Sequence, residues 1–278
     1  MGELPLIWVD GERQGVLPLP DRGLDFGDGL FETLLLRRGR PVLIDYHWQR
    51  LLAGLKALAF PDCRAAAYEQ LMAACAELGS IDWAALRLTV TRGSGPRGYA
   101  PPEDARARVV ISAAPLQQDL THFPSPVHLE WADIRWSSQP ALAGIKHLNR
   151  LEQVLAVGEA RQQQCDDVVV LNQSGAVCSA GTGNLFALID GRLCTPDLHS
   201  CGIAGTRRRL VLEQLAPALG LEVEVRELHP EALITADELF CCNSLRGLQA
   251  VRQLANRHWD SFPCCSALHQ QYVELIPC

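Results

Sequence analysis

No apolar run in the 278-residue chain approaches the ~18 residues that a membrane-spanning helix requires. The first residues, Met1-Gly2-Glu3-Leu4-Pro5-Leu6, show no basic stretch followed by a long apolar core, so no secretory leader is expected and the expected address is the cytoplasm. The 11 cysteines include the adjacent pairs Cys241-Cys242 and Cys264-Cys265, but there is no C-x-x-C and no Cys/His spacing that suits zinc. They read as buried thiols behaving as small hydrophobes, and no metal is expected. Positive charge is in deficit as well: 25 Lys and Arg against 32 Asp and Glu give a formal net charge of −7. That argues against nucleic acid as a main partner. It leaves room for a small anionic substrate, because local arginines bind carboxylates whatever the global balance. Internal repeats and low-complexity stretches are also missing, which sets repeat architectures aside.

What is present is the composition of a globular protein with a sizeable core, 48% hydrophobic and 21% charged, in one large domain or two moderate ones. Ile7-Trp8-Val9 reads as a strand entering an Asp10-Gly11 turn. Leu34-Leu35-Leu36 and Val42-Leu43-Ile44 flank Arg38-Gly39-Arg40 as a second hairpin. Trp48, Leu51, Leu52, Leu55 and Leu58 recur at helical spacing, and Pro61 ends that helix. A second helix is expected from about Ala65 to Leu78, then strands at Leu86–Thr91 and Arg108–Ser112. Past a short segment at Pro115-Leu116-Gln117-Gln118 come a strand near Val127–Leu129 and a helix with an apolar stripe of Leu148, Leu151 and Leu155. Hairpins at Val168–Val177 and Asn184–Cys194, a helix over roughly Thr206–Leu219, and strands near Leu221–Val225 and Leu239–Cys242 follow. Nothing diagnostic is read from the last thirty residues.

The chemistry concentrates in Ala143-Gly144-Ile145-Lys146-His147-Leu148-Asn149-Arg150-Leu151-Glu152-Gln153. Here one lysine sits on a Gly-containing turn directly before a helix. A lysine that bonds covalently to a carbonyl cofactor needs such placement, because its amine must be aimed and partly desolvated. Gly202-Ile203-Ala204-Gly205-Thr206-Arg207 is a Gly-rich helix entry, whose backbone N–H groups favour an anion. Arg92-Gly93-Ser94-Gly95-Pro96-Arg97-Gly98-Tyr99 is a Gly/Pro-defined loop in which Arg97 and Tyr99 are suited to hold a carboxylate. Taken alone, each also fits a solvated lysine, an ordinary capped helix and a basic loop.

The lysine segment resembles that of the fold-type IV pyridoxal-phosphate enzymes. Within that group it is most similar to the aminodeoxychorismate lyases, which carry A-G-I-K-H-L-N-R-L-E-Q at the cofactor lysine and R-G-S-G-G-R-G-Y in the matching loop. The resemblance runs from Ile7 to about Gln249. It implies an α+β, two-domain fold-type IV (D-amino-acid aminotransferase-like) fold. A smaller N-terminal α+β domain would cover residues 1–114, a linker 115–120, and a larger C-terminal α/β domain 121–278, carrying the cofactor lysine. It implies pyridoxal 5'-phosphate as cofactor, bound covalently by Lys146, with Arg50, Gly205, Thr206, Asn243 and Ser244 at its phosphate. Arg97 and Tyr99 would bind substrate, and Thr33, in Phe26-Gly27-Asp28-Gly29-Leu30-Phe31-Glu32-Thr33, would relay a proton or orient substrate.

One position departs from the pattern. Aligned on Asn184-Leu185-Phe186, Ser179 stands where enzymes of this fold place a Glu against the ring nitrogen. A neutral Ser holds the ring less firmly protonated, so carbanion build-up is less stabilised. That disfavours transamination more than an elimination that expels its leaving group early. The implied activity is elimination of pyruvate from 4-amino-4-deoxychorismate to leave 4-aminobenzoate, a step of folate precursor synthesis, by a homodimer that uses neither nucleic acid nor membrane as partner. The alternatives are a D-amino-acid or branched-chain aminotransferase of the same fold, or a catalytically inactive cofactor-binding relative.

Overall fold

The structure, a computed structural model, describes residues 6–117 and 119–277. Met1–Pro5, part of the stretch judged above for a leader, and Gln118 of the expected linker lie outside it, as does Cys278. By its contacts the chain forms two units: Met1–Asp119 with Ile145–Asn149 and Ile276–Cys278, and Leu120–Gly144 with Arg150–Leu275. The segment bearing Lys146 thus groups with the first unit, whereas the sequence had placed it in a domain over 121–278.

The first unit runs β1 (Leu6–Val9), β2 (Glu12–Arg13), α1 (Arg22–Phe26), β3 (Gly29–Arg37), β4 (Arg40–Pro41), α2 (Ile44–Ala57), α3 (Arg64–Glu77), β5 (Trp83–Thr91) and β6 (Arg108–Pro115). Its six strands form an antiparallel sheet in the order β2-β1-β6-β5-β3-β4. Strand periodicity divides β3: Leu30, Leu34 and Leu36 join a core with Leu86, Leu88, Val90, Ile111 and residues of α2 and α3. The hairpin expected through Ile44 is shorter than the sequence suggests. Leu43 takes a left-handed conformation (φ 57°) and turns the chain straight into α2.

The second unit runs β7 (Val127–Trp136), α4 (Leu151–Gln162), β8 (Asp167–Asn172), β9 (Val177–Ala180), β10 (Asn184–Ile189) and β11 (Arg192–Pro196). Then come α5 (Thr206–Leu210), a π turn over Val211–Leu215, α6 (Ala216–Ala218), β12 (Val223–Arg226), α7 (Pro230–Ile234), β13 (Glu238–Asn243), β14 (Gly247–Leu254), β15 (Arg257–His258) and α8 (Pro263–Glu274). Its mixed sheet has the order β12-β11-β10-β13-β14-β7-β8-β9, with β15 on β14. Two cores lie on opposite faces of the sheet: along β8, Val169 and Leu171 join the one around Leu129, Leu185, Leu239 and Trp259, while Val168 and Val170 join the other, with Trp136 and Cys178.

Two expectations are corrected here. The stripe Leu148, Leu151 and Leu155 does not face the core: Leu151 is 78% exposed and Leu155 58%, with Val154 at 64%. The buried face is Ala156 and Ala160, small enough to bring the backbone close to β7 and β8. Leu148 precedes the helix and belongs to the first unit. The last thirty residues are also informative. Most of β14, a central strand, and all of α8 lie there, with Leu254, Cys265, Leu268 and Tyr272 buried. The described cysteines are all free thiols, and no group of His, Cys, Asp and Glu among the described residues is arranged to hold a metal. No described helix is long and apolar enough to cross a membrane.

Candidate active site

In the first unit, Ile145–Asn149 lies along the start of β3. The Phe31 N–H donates to the Lys146 carbonyl (3.0 Å), the Leu148 N–H to the Gly29 carbonyl (3.0 Å), and Asn149 Nδ2 to the Gly27 carbonyl (3.2 Å). Gly27 is required here: its φ is 67°, and a Cβ would collide with the Asn149 side chain. The strand-like docking aims Lys146 at the sheet, with Nζ 4.2 Å from the centre of the Phe31 ring. The chain has only two lysines, and the other, Lys56, is exposed on α2.

The same ring carries a second cation. Arg87 Cζ lies 3.7 Å from its centre, and Arg87 is the register partner of Thr33 across β3 and β5. Phe31, Thr33, Arg87 and Thr89 therefore share one face of the sheet, with Thr33 half-buried and Arg87 exposed. Sequence reasoning missed Arg87. The signal was the alternation of Leu86, Leu88 and Val90, which turns the residue between Leu86 and Leu88 to the face of Phe31 and Thr33. An amine and a guanidinium over one aromatic ring suit a negatively charged substrate attacked or deprotonated by the amine.

Glu32, one residue on, points to the opposite face, toward α2. It is 2% exposed and accepts from Arg50 Nε (2.8 Å), Arg50 Nη2 (2.6 Å) and His47 Nδ1 (2.6 Å). Burial pushes its carboxyl up, but the Arg50 charge and hydrogen bonds, with those of His47, outweigh that and hold it at about 2. Arg50 thus stands in a fixed fork-to-carboxylate geometry. Neither Glu32 nor His47 was singled out from the sequence, since no local pattern pairs residues 15 and 18 positions apart.

The loop after β5 divides between anchoring and exposed residues. Arg92 donates to Asp28 Oδ2 (2.8 Å) and to the carbonyls of Leu58 and Ala59 (2.7 and 2.9 Å). Buried Arg22 donates to the same Asp28 oxygen (2.9 Å) and to the carbonyls of Gly98 (3.1 Å) and Tyr99 (2.8 Å). Arg97 is exposed, and Tyr99 is 86% exposed with its ring 5.3 Å from that of Phe26. Within one chain the loop's two expected substrate ligands face solvent.

In the second unit, Gly144 pairs with Ile203, so the chain leading to the lysine segment runs parallel to the chain leading to α5. Ser179 is buried on β9, and its hydroxyl donates to the Ala180 carbonyl (2.8 Å). Its neighbour Cys178 has its sulfur 3.1 Å from that of Cys201. The Gly205 N–H donates to Asn184 Oδ1 (3.0 Å), so the donor expected there for a phosphate is already engaged. Asn243 Oδ1 accepts from the N–H groups of Leu245 (3.1 Å) and Arg246 (2.9 Å), building the turn that presents Ser244. Ser244 Oγ and Thr206 Oγ1 meet at 3.3 Å. The structure brings these two hydroxyls together; Gly205 and Asn243 shape the backbone around them.

Residues 29–254 match the amino-transferase class IV family. The chain is 35% identical to aminodeoxychorismate lyase of Vibrio harveyi, over 88% of this chain and 90% of that one. Among solved structures it is similar to 4-amino-4-deoxychorismate lyase from Pseudomonas aeruginosa, with 41% identity, a TM-score of 0.90, and 97% and 98% of the two chains covered. A Mycobacterium tuberculosis protein described as a hypothetical aminotransferase in its PLP-bound form shares the fold, with 21% identity, a TM-score of 0.82, and 97% of each chain covered.

Proposed function

The chain belongs to the amino-transferase class IV family, and from that premise we propose that it is a pyridoxal-phosphate-dependent lyase converting 4-amino-4-deoxychorismate to 4-aminobenzoate and pyruvate. The observation that carries this reading is that Lys146 and Arg87 both pack against the Phe31 ring, an amine and an anion-binding group at one aromatic side chain. Each unit has groups whose chemistry suits the cofactor: in the first a lysine for its aldehyde, in the second a hydroxyl pair, Thr206 and Ser244, for its phosphate. Arg50, fixed by Glu32, is assigned to the same phosphate, while Gly205 and Asn243 hold the backbone that presents the hydroxyls. When bound, pyridoxal 5'-phosphate supplies an electron sink for the carbon bearing the substrate's amine.

Lys146 would have two tasks: to hold the cofactor's aldehyde and, as a free amine, to take the proton from the carbon bearing the substrate's amine. It then delivers a proton toward the departing enolpyruvyl group, whose loss makes the six-membered ring aromatic. Thr33, on the face of Phe31 and Arg87, orients the substrate. Arg87 holds one substrate carboxylate, and Arg97 with Tyr99 holds the other. Ser179 is assigned to the cofactor's ring nitrogen; being neutral, it favours early loss of the leaving group over the long-lived carbanion of transamination.

The working form is a cytoplasmic homodimer with a small anionic substrate. The exposed Leu151, Val154 and Leu155 on α4 support a second copy as cover, as does the solvent-facing Arg97–Tyr99 loop. Free thiols are what a reducing compartment maintains. The test is release of pyruvate and fluorescent 4-aminobenzoate in equal amounts from 4-amino-4-deoxychorismate, lost in Lys146→Ala. Turnover in that variant, or none in the cofactor-loaded wild type, would reject the assignment.

A further inference from the structure

We propose that Arg207 is a positioning residue for the phosphate end of the cofactor site, setting Thr206 and Ser244 as hydrogen-bond donors; this rests on the phosphate role given to those two residues above. Arg207 is wholly buried, where an arginine is rare because desolvating a guanidinium is costly. Three of its hydrogen bonds go to uncharged oxygens. Nη2 donates to the Ser244 carbonyl (3.1 Å), Nη1 to Thr206 Oγ1 (3.4 Å), and Nε to the Tyr272 hydroxyl (3.2 Å), with Cζ 5.4 Å from the Tyr272 ring centre. One side chain therefore spans both hydroxyl-bearing residues, which lie 38 positions apart in sequence, and ties them to α8.

The polarity of this chain selects its ligand. Donation into Thr206 Oγ1 uses a lone pair of that oxygen, leaving its O–H to give. Whichever of Thr206 and Ser244 donates to the other, the guanidinium charge fixed behind the pair favours an anionic ligand at these hydroxyls. Tyr272 sets the guanidinium in turn: its ring packs so closely on the start of β14 that a Cβ at Gly247 would come within 2.8 Å of it.

The test compares pyridoxal 5'-phosphate with pyridoxal, the same aldehyde without the phosphate, binding to the full-length apoprotein by tryptophan fluorescence. Wild type, Arg207→Lys and Tyr272→Phe are titrated with each. The wild type is expected to prefer the phosphorylated aldehyde strongly. Arg207→Lys cannot span three oxygens, and its affinity for pyridoxal 5'-phosphate should fall on the order of tenfold or more, with that for pyridoxal unchanged. Tyr272→Phe, nearly isosteric, should lose roughly threefold to tenfold on the phosphorylated ligand alone. In ³¹P spectra the bound phosphate of the wild type should keep one chemical shift through neutral pH, and in Arg207→Lys it should titrate. Equal losses for both aldehydes, or no loss in either variant, would overturn the role of Arg207. A wild type that does not distinguish the two aldehydes would instead overturn the placement of phosphate at Thr206 and Ser244.

Discussion

Glu32→Gln removes the one charge that Arg50 and His47 share while keeping the side chain's shape. The carboxylate accepts three hydrogen bonds of 2.6 to 2.8 Å from these residues in a buried setting. A glutamine offers one oxygen and an NH2 group that cannot accept, so the fork of Arg50 loses half its seat. The carboxyl titrates at about 2 against an ordinary 4.5. At about 1.4 kcal/mol per pH unit, that gap contributes about 3 kcal/mol of folding stability at neutral pH. Breaking a buried charge pair by removing one member costs about 3–5 kcal/mol, which agrees. The sign follows from linkage: the folded value is depressed, so the stabilisation is complete above the unfolded value and is lost as pH falls toward about 2. Urea unfolding of wild type and variant across acid to neutral pH measures it. The variant should be less stable by about 3 kcal/mol at neutral pH, with the difference closing progressively below pH ~4.5. A difference under about 1 kcal/mol at neutral pH, or one that does not change with pH, would refute the reasoning.

Further outcomes follow from the rest of the site. Arg87→Gln should raise KM for 4-amino-4-deoxychorismate on the order of tenfold with a smaller change in kcat, read from 4-aminobenzoate fluorescence; an unchanged KM removes Arg87 from substrate binding. Ser179→Glu should increase amino-group transfer from D-alanine, followed as pyruvate formed without the lyase substrate, because a carboxylate keeps the cofactor's ring nitrogen protonated; no increase would show that this position does not set the reaction. If the proposed homodimer forms through α4, Val154→Lys combined with Leu155→Lys should shift the sedimenting species from dimer to monomer, and an unchanged mass would reject that face.

Much of this protein was legible in one dimension because the relevant signals are local. Helical spacing of Leu51, Leu52 and Leu55, alternation along β3 and β5, and turn chemistry at Asp10-Gly11 each depend on neighbours a few residues away. The α+β class followed, and so did the family, carried by contiguous residues around Lys146 and in the Arg92–Tyr99 loop. The direction of α4 was not legible: its leucines have the right spacing for a core stripe, yet Ala156 and Ala160 decide which side meets the sheet, a contest between close approach and apolar area.

Sequence by itself determined the family and the local elements that carry its motif residues, since helical and strand spacing and glycine turns are chosen by bonding and backbone sterics within a few positions. Only the tertiary structure decided what those residues face. The Glu32 carboxylate under Arg50, Arg87 sharing the Phe31 ring with Lys146, and Arg207 spanning Thr206, Ser244 and Tyr272 join groups as far as 115 positions apart. No short-range preference encodes such pairings. They exist because the packed core fixes distances and excludes water, so that each buried charge must take the partners the fold places within reach.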